Sequence, residues 1–238
     1  MTVYVLAGGQ GTRLKELWPD RPKSLVPVSG RPFVEHQLGW LAAHGLTDVV
    51  LCAGVGAEAL LEHVGDGSAF GVRVRTVVET IPRGTGGALA DAMRAMDQGE
   101  RTFLAVNGDT WGDFDPTSML SLHRDLEAEA TLAAYAVDDA AARGTVEFGP
   151  EGRLTAFREK AEAGPGWVSG GIYALEPRAF DGVASGATSV SLERDVFPGL
   201  LSGGRTVAAW RGGGHFWDMG TPEGLARAEA ALAAREPR

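Results

Sequence analysis

Three groups of residues in this chain have the types and spacing that chemistry on a phosphate needs. The first is Leu6-Ala7-Gly8-Gly9-Gln10-Gly11-Thr12-Arg13-Leu14, followed by Arg21-Pro22-Lys23. An apolar run that breaks into three near-adjacent glycines reads as a buried strand feeding a tight loop. Glycines let backbone N–H groups approach an anion with no Cβ in the way, and successive N–H groups form an anion-binding nest. Thr12 adds a hydroxyl, and Arg13 and Lys23 add two fixed positive charges. Such a loop suits a phosphate chain; a glycine-rich surface turn with two solvated cations is the plain alternative.

The second group is a pair of carboxylates far apart in the chain. Asp109 closes Asn107-Gly108-Asp109 at the end of an apolar run, and Asp218 stands among large apolar residues in Phe216-Trp217-Asp218-Met219-Gly220-Thr221-Pro222. Mg²⁺ takes one or two carboxylates plus phosphate oxygens, so these two acids can meet at one metal beside a triphosphate. Asn-Gly-Asp is also ordinary turn chemistry. A buried Asp218 must be paired or cation-bound, and capping a helix or pairing with an Arg are its alternatives.

The third group concerns what the phosphate carries. Glu79 precedes a second glycine-rich stretch, Pro82-Arg83-Gly84-Thr85-Gly86-Gly87. Its carboxylate can accept hydrogen bonds from guanine N1–H and the exocyclic amine, while Gly84 to Gly87 let a base lie against backbone. In Phe157-Arg158-Glu159-Lys160, Glu159 can grip sugar hydroxyls and Lys160 a sugar phosphate. A strand-end surface charge is the alternative for Glu79, and an exposed, salt-bridged strand end for Glu159-Lys160. Two familiar phosphate loops are excluded at the opening. The Walker spacing is absent, and Pro19, Pro22 and Pro27 leave no room for the long helix that follows a dinucleotide-binding turn.

These groups need a scaffold, and the apolar pattern supplies one. Apolar positions 33, 34, 38, 41 and 42 predict a helix over Phe33 to His44, ending at Gly45. Strands are predicted over Asp48 to Ala53, Val72 to Val78 and Arg101 to Val106, with helices over Ala57 to Val64 and from Thr85-Gly86-Gly87 to Met96. Alternating strands and ten-residue helices signal βαβ crossovers and a parallel sheet with helices on both faces. Ligands sit at the carboxyl ends of such strands. The Gly8–Arg13 loop, Glu79 to Gly87 and Asn107 to Asp109 all follow strands. The second half changes character. A helix over Ser118 to Ala130 and a strand over Thr131 to Val137 precede Gly144 to Phe148, Arg153 to Glu159 and Gly170 to Leu175. These short pieces are expected to be antiparallel, forming a small portion that holds the second substrate. A last Ala-rich helix covers Pro222 to Arg235. With no repeat or linker, one domain is expected, residues 1–115 mainly for nucleotide and 116–238 mainly for sugar phosphate.

Composition limits the partners. The 238 residues carry a formal net charge of −9, which argues against nucleic acid and anionic membranes. It also requires a nucleotide site to be locally basic or metal-assisted. Only three of the 22 basic residues are Lys (Lys15, Lys23 and Lys160), and two of those fall inside motifs. No run approaches the roughly 18 apolar residues of a membrane span, and Met1 is followed almost at once by a strand rather than a signal peptide. The single Cys52 lies in an apolar run and fits a buried hydrophobe in a reducing cytoplasm. His36, His44, His63 and His123 fall on predicted helices as packed or solvated side chains. His215, near Asp218, receives no role.

Taken together and in order, the glycine-rich opening, Pro22-Lys23, Pro82 to Gly87, Asn107-Gly108-Asp109, Phe157 to Lys160, Ser169-Gly170-Gly171-Ile172-Tyr173 and Trp217 to Pro222 resemble the sugar-1-phosphate nucleotidylyltransferases. Within that family the chain is most similar to the short D-glycero-α-D-manno-heptose 1-phosphate guanylyltransferases and the mannose-1-phosphate guanylyltransferases, without room for the β-helix domain of longer members. The resemblance implies a Rossmann-like sheet, Mg²⁺ between Asp109 and Asp218, and catalytic roles for Arg13, Lys23 and Asp109. It implies nucleotide contacts at Leu6, Ala7, Gly8, Gly9, Gly11, Thr12, Arg13, Glu79, Gly84, Thr85, Asn107 and Gly108. Gly144, Glu159, Lys160, Ser169 and Gly170 are implied at the sugar phosphate. Two positions depart from the pattern: Ser24, where Pro commonly follows the motif Lys, and Ser169, where mannose enzymes usually show Asn. The implied reaction is attack by a sugar 1-phosphate oxygen on the nucleotide α-phosphorus with release of pyrophosphate. That nucleophile arrives ionised, so no catalytic His, Ser or Cys is required. Alternatives are a uridylyl- or thymidylyltransferase for another hexose 1-phosphate, a cofactor nucleotidylyltransferase, and an inactive nucleotide-sensing module.

Overall fold

The computed structural model describes residues 1–9, 18, 22–96, 101–140, 144–158, 164–186 and 188–235. In chain order its first strands are β1 (Thr2–Ala7), β2 (Pro27–Val28), β3 (Arg31–Pro32), β4 (Asp48–Ala53), β5 (Arg73–Val78), β6 (Phe103–Asn107) and β7 (Thr110–Gly112). They are followed by β8 (Ala130–Val137), β9 (Thr145–Phe148), β10 (Leu154–Arg158), β11 (Gly166–Leu175), β12 (Val207–Arg211) and β13 (Phe216–Asp218). The α-helices are α1 (Phe33–Ala43), α2 (Ala57–Val64), α3 (Gly84–Met96), α4 (Pro116–Asp125), α5 (Phe197–Ser202) and α6 (Pro222–Arg235). None among the described residues is long and apolar enough to cross a membrane. The fold is mixed α/β, and the chain divides into two compact units.

The first unit takes Met1–Pro82, Val106–Trp111 and Phe216–Arg238. Here β1, β4 and β5 run parallel in register, so that Ala7 lies beside Ala53 and Ala53 beside Val78. Val3, Tyr4 and Val5 on β1 and Val49 to Ala53 on β4 are buried without alternation. Such continuous apolar runs mark parallel strands covered on both faces. Cys52 is one of these buried residues, and burial, with a smaller contribution from Glu79, pushes its thiol up to about 12. It is an inert core side chain, as its context predicts. A smaller core joins distant segments: Val28, Phe33, Trp111, Trp217, Met219 and Ala228 pack together. Within it Trp111 stacks on Trp217 with ring centroids 4.9 Å apart. Between β2 and β3, Ser29 (φ 46°) and Gly30 (φ 79°) make the two-residue turn with positive φ that a tight hairpin favours.

The second unit takes Arg83–Ala105 and Gly112–His215. β11 pairs antiparallel with β8 and β9, and β9 with β10, as the short strands of this half predict. β12 adds a strand not anticipated in the sequence, and it runs parallel to β8. The helix expected over Ser118 to Ala130 is shorter, with different bounds. Asp115 caps α4 by accepting the Thr117 N–H at 3.0 Å, with Pro116 in the first turn. Its end comes at Asp125 because Glu127 takes φ 49°, turning the chain so that Ala130 already opens β8. Helix propensity in Leu126-Glu127-Ala128 yields here to the strand that follows.

Candidate active site

The three parallel strands of the first unit end level with one another, which brings Gly8, Gly54 and Glu79 together just past their carboxyl ends. The Glu79 N–H donates to the Ala53 carbonyl at 2.9 Å, extending the β5 pairing by one residue. Its half-buried side chain folds back over the two glycines. A Cβ on Gly8 would stand 2.4 Å from Glu79 Oε1, and one on Gly54 would stand 2.8 Å from both Glu79 Oε1 and the Gly8 carbonyl oxygen. Gly8 and Gly54 are therefore glycine because the Glu79 carboxylate and the neighbouring backbone fill their Cβ space. Leu6, Ala7 and Gly9 lie on the same strand end. Gly11, Thr12 and Arg13 fall outside the described residues.

Lys23 is delivered by a single 3₁₀ turn, Lys23–Leu25, entered from Pro22 and closed by the Leu25 N–H on the Pro22 carbonyl at 2.9 Å. The Pro22 ring lies on Gly56, where a Cβ would come within 2.4 Å of Pro22 Cγ. This seats the turn against the loop that follows β4. From there Lys23 Nζ contacts Asp109 Oδ2 directly, with the two side chains 15% and 28% exposed. The pair is sheltered but open to a ligand.

Asp109 leaves the end of β6 through a backbone held close to β1. The Gly108 N–H donates to the Leu6 carbonyl at 2.9 Å, and a Cβ there would lie 2.7 Å from that oxygen. Asp218 ends β13, whose Trp217 is locked in the Trp stack, and the Met219 N–H donates to the Asp109 carbonyl at 2.9 Å. One backbone hydrogen bond thus ties the segments of the two carboxylates together. Helix α6 takes its first-turn acceptor from Thr221 Oγ1, which receives the Gly224 N–H at 3.1 Å. Asp218 is not that cap: its Oδ1 instead accepts the Gly220 N–H at 2.7 Å.

Gly220 is where these parts meet. The point a Cβ would occupy there lies 2.7 Å from Asp218 Oδ1, 3.0 Å from Lys23 Nζ and 3.6 Å from Asp109 Oδ2. Two carboxylates and an ammonium from three distant segments therefore converge on one small space. Among the described residues no cluster of three or more His, Cys, Asp or Glu can hold a metal ion. The donor set is two carboxylates, which suits an Mg²⁺ that keeps its other positions for phosphate and water. Gly54 and Gly220 escaped the reading of the sequence as site residues, because each matters only through segments remote in the chain.

In the second unit the glycine-rich stretch has a packing role. The Gly86 and Gly87 N–H groups donate to the Val190 carbonyl at 2.8 and 3.2 Å, and a Cβ on Gly84 would stand 2.6 Å from it. Thr85 Oγ1 accepts the Leu192 N–H at 2.9 Å. Buried Arg83 donates to Asp91 at 2.9 Å and to the Ala184 carbonyl at 2.7 Å, fixing the same segment. On β11 the register shifts between Ser169 and Tyr173, a bulge that includes Gly171 at φ 66°. Ser169 Oγ lies 3.4 Å from the Tyr173 hydroxyl, which donates to Glu193 at 2.8 Å. Gly170 faces the Tyr135 ring, and a Cβ there would lie 2.3 Å from Tyr135 Cε2. Gly144 lies against Phe157, with Cε1 3.0 Å from its Cβ position. Glu159 and Lys160 fall outside the described residues.

Among the described residues the histidines carry no triad. His36 bonds the Val28 carbonyl at 2.8 Å, His44 the Trp40 carbonyl at 2.8 Å, and His63 pairs with Glu35 at 2.9 Å. His123 is buried between Thr131 and Glu176. His215 faces Asp113, whose carboxylate accepts its backbone N–H at 2.8 Å.

Residues 3–235 match the family described as Nucleotidyl transferase. A mannose-1-phosphate guanylyltransferase of Mycobacterium tuberculosis is 37% identical over 230 residues, covering 96% of this chain and 63% of that protein. This chain therefore spans less than two thirds of that relative's length. A D-glycero-alpha-D-manno-heptose 1-phosphate guanylyltransferase of Campylobacter jejuni is 32% identical over 184 residues, 77% of this chain and 80% of that one. Among solved structures, HddC from Yersinia pseudotuberculosis, complexed with GMP-PN, superposes with a TM-score of 0.83 at 26% identity. The superposition covers 97% of this chain and 99% of that one. The chain belongs to the nucleotidyl transferase family.

Proposed function

We propose that the chain transfers guanylyl from GTP to the phosphate of a manno-configured sugar 1-phosphate, mannose or manno-heptose, and releases pyrophosphate. The observation that carries this reading is the convergence of Asp109, Asp218 and Lys23 around Gly220. Relatives 37% and 32% identical to the chain are named as guanylyltransferases for those two sugars. Glu79, held at the strand ends beside Gly8 and Gly54, offers the acceptor that guanine's N1–H and amine need.

In the step proposed, a sugar-phosphate oxygen forms a bond to the α-phosphorus as the bond from that phosphorus to the bridging oxygen breaks, and the electron pair leaves with pyrophosphate. The nucleophile is already anionic, so the protein aligns the reactants and stabilises charge. Asp109 and Asp218 hold Mg²⁺, which supplies neutralising charge to the phosphates when bound. Lys23 adds its ammonium at the same place. Arg13 on the triphosphate and Lys160 on the attacking phosphate are assigned by resemblance. A lone buried thiol fits a cytoplasmic setting.

The test is a grid of five nucleoside triphosphates against mannose, glucose, N-acetylated and heptose 1-phosphates, read by pyrophosphate release. Turnover with GTP and a manno-configured phosphate is expected, and the grid separates mannose from heptose. Pyrophosphate exchange with no sugar phosphate accepted would point to another acceptor. Nucleotide binding without any pyrophosphate release would point to a sensing module.

A further inference from the structure

Gln37 lies on α1 among Phe33, Val34, Leu38 and Leu41, and it is 1% exposed. A long polar side chain at such a position costs rotamer entropy and desolvation that its apolar neighbours do not incur. Its amide is fully engaged as a donor: Nε2 gives one hydrogen bond to the Asn107 carbonyl at 2.9 Å and another to the Thr110 carbonyl at 3.0 Å. Those two carbonyls bracket Gly108 and Asp109. Two further backbone groups of the bracket are held elsewhere, the Gly108 N–H by Leu6 and the Asp109 carbonyl by Met219. Turning the Asp109 side chain away from Lys23 and Asp218 by a backbone movement would break at least one of these four bonds.

We infer that Gln37 is a positioning residue that aims the Asp109 carboxylate, by clamping the carbonyls on either side of it. The inference rests on the reading of Asp109 and Asp218 as the metal carboxylates. No common substitute reproduces the clamp. Met matches the length without a donor, Glu offers acceptors to two carbonyls, and Asn is one methylene too short.

The experiment compares wild type, Gln37→Met, Gln37→Glu and Asp109→Ala as full chains. Mn²⁺ is titrated in the presence of pyrophosphate, the product common to any nucleotidyl transfer from a triphosphate. Free Mn²⁺ is read by electron paramagnetic resonance, and thermal unfolding is recorded alongside. Outer partners that orient metal ligands are worth about 10- to 100-fold in metal affinity. Gln37→Met and Gln37→Glu are each expected to weaken Mn²⁺ binding by about ten-fold or more, in the direction of Asp109→Ala. Wild-type Mn²⁺ affinity in a folded Gln37 variant, with only the unfolding temperature lowered, would overturn the inference and leave Gln37 a packing residue. Unchanged affinity in Asp109→Ala would remove the metal reading itself, and the inference with it. If Gln37→Met does not fold, Gln37→Glu and Gln37→Asn decide by the same measurement.

Discussion

Gly220 has space for a hydrogen and little more, because Asp218 Oδ1 and Lys23 Nζ stand 2.7 and 3.0 Å from where a Cβ would be. Its backbone does not require a positive φ, so alanine there is unstrained in itself. Gly220→Ala is expected to lower kcat by about ten-fold or more while the unfolding temperature moves little, since the added methyl displaces functional groups rather than core. A normal kcat would show that this space is not used in turnover. The carboxylates allow a sharper test. Asp109→Asn or Asp218→Asn keeps the shape and removes a charge, and each is expected to cost about 10²- to 10³-fold in kcat. Wild-type rates in either would sink the metal assignment. At this scale the sequence was a partial guide. Gly8, Lys23, Asp109 and Asp218 announce themselves through composition and neighbours. Gln37 and Gly54 do not, because their roles depend on segments that only folding brings near.

Among the elements, the parallel strands and the helices between them follow the apolar pattern closely, since a strand buried on both faces leaves little ambiguity. The second half was less legible. Its strands are held by pairings that ignore chain order, and β11 carries a bulge that shifts its alternation. The Tyr135 ring explains part of the glycine content there. Gly112, Gly170 and Gly212 all give way to it, and its hydroxyl donates to the Asp113 carbonyl at 2.8 Å. Gly170→Ala is expected to destabilise by about 1–3 kcal/mol through overpacking. Gly213→Ala, where nothing lies within 4 Å, is the control and is expected to be near neutral. Equal unfolding temperatures for the two would refute this packing account. His123 sets a second test in the same unit. Burial lowers its pKa from the ordinary 6.5, only partly offset by Glu176, while Arg178 and Arg124 lower it further. The unfolded chain therefore binds a proton near pH 6.5 that the folded chain refuses until lower pH. Stability from this group is complete above pH 6.5 and falls as the pH drops toward the folded pKa. His123→Gln is expected to flatten the decline in unfolding temperature between about pH 7 and pH 5. An unchanged slope would assign the decline to other groups.

For the whole molecule the governing quantity is charge. On the proposed function a chain of net −9 takes a polyanion, and the described cation at its carboxylates, Lys23, is already in contact with Asp109. A triphosphate arriving alone meets two acids whose charge Lys23 balances only in part. Nucleotide binding is therefore expected to depend on a divalent cation, and unfolding temperature can report this without any turnover. A ligand at a hundred times its Kd stabilises the folded state by about 2.7 kcal/mol. For a chain of this length that corresponds to a shift of roughly 5–10 °C. The shift is expected with GTP and Mg²⁺ together, to fall below about 2 °C with GTP in excess chelator, and to be small with Mg²⁺ alone. Asp218→Asn adds the decisive arm. Removing one acid lessens the repulsion of bare nucleotide while weakening the hold on the cation, so its shifts with and without Mg²⁺ should move toward each other. Equal shifts in wild type with and without Mg²⁺ would mean that these carboxylates take no part in holding the nucleotide's counter-charge.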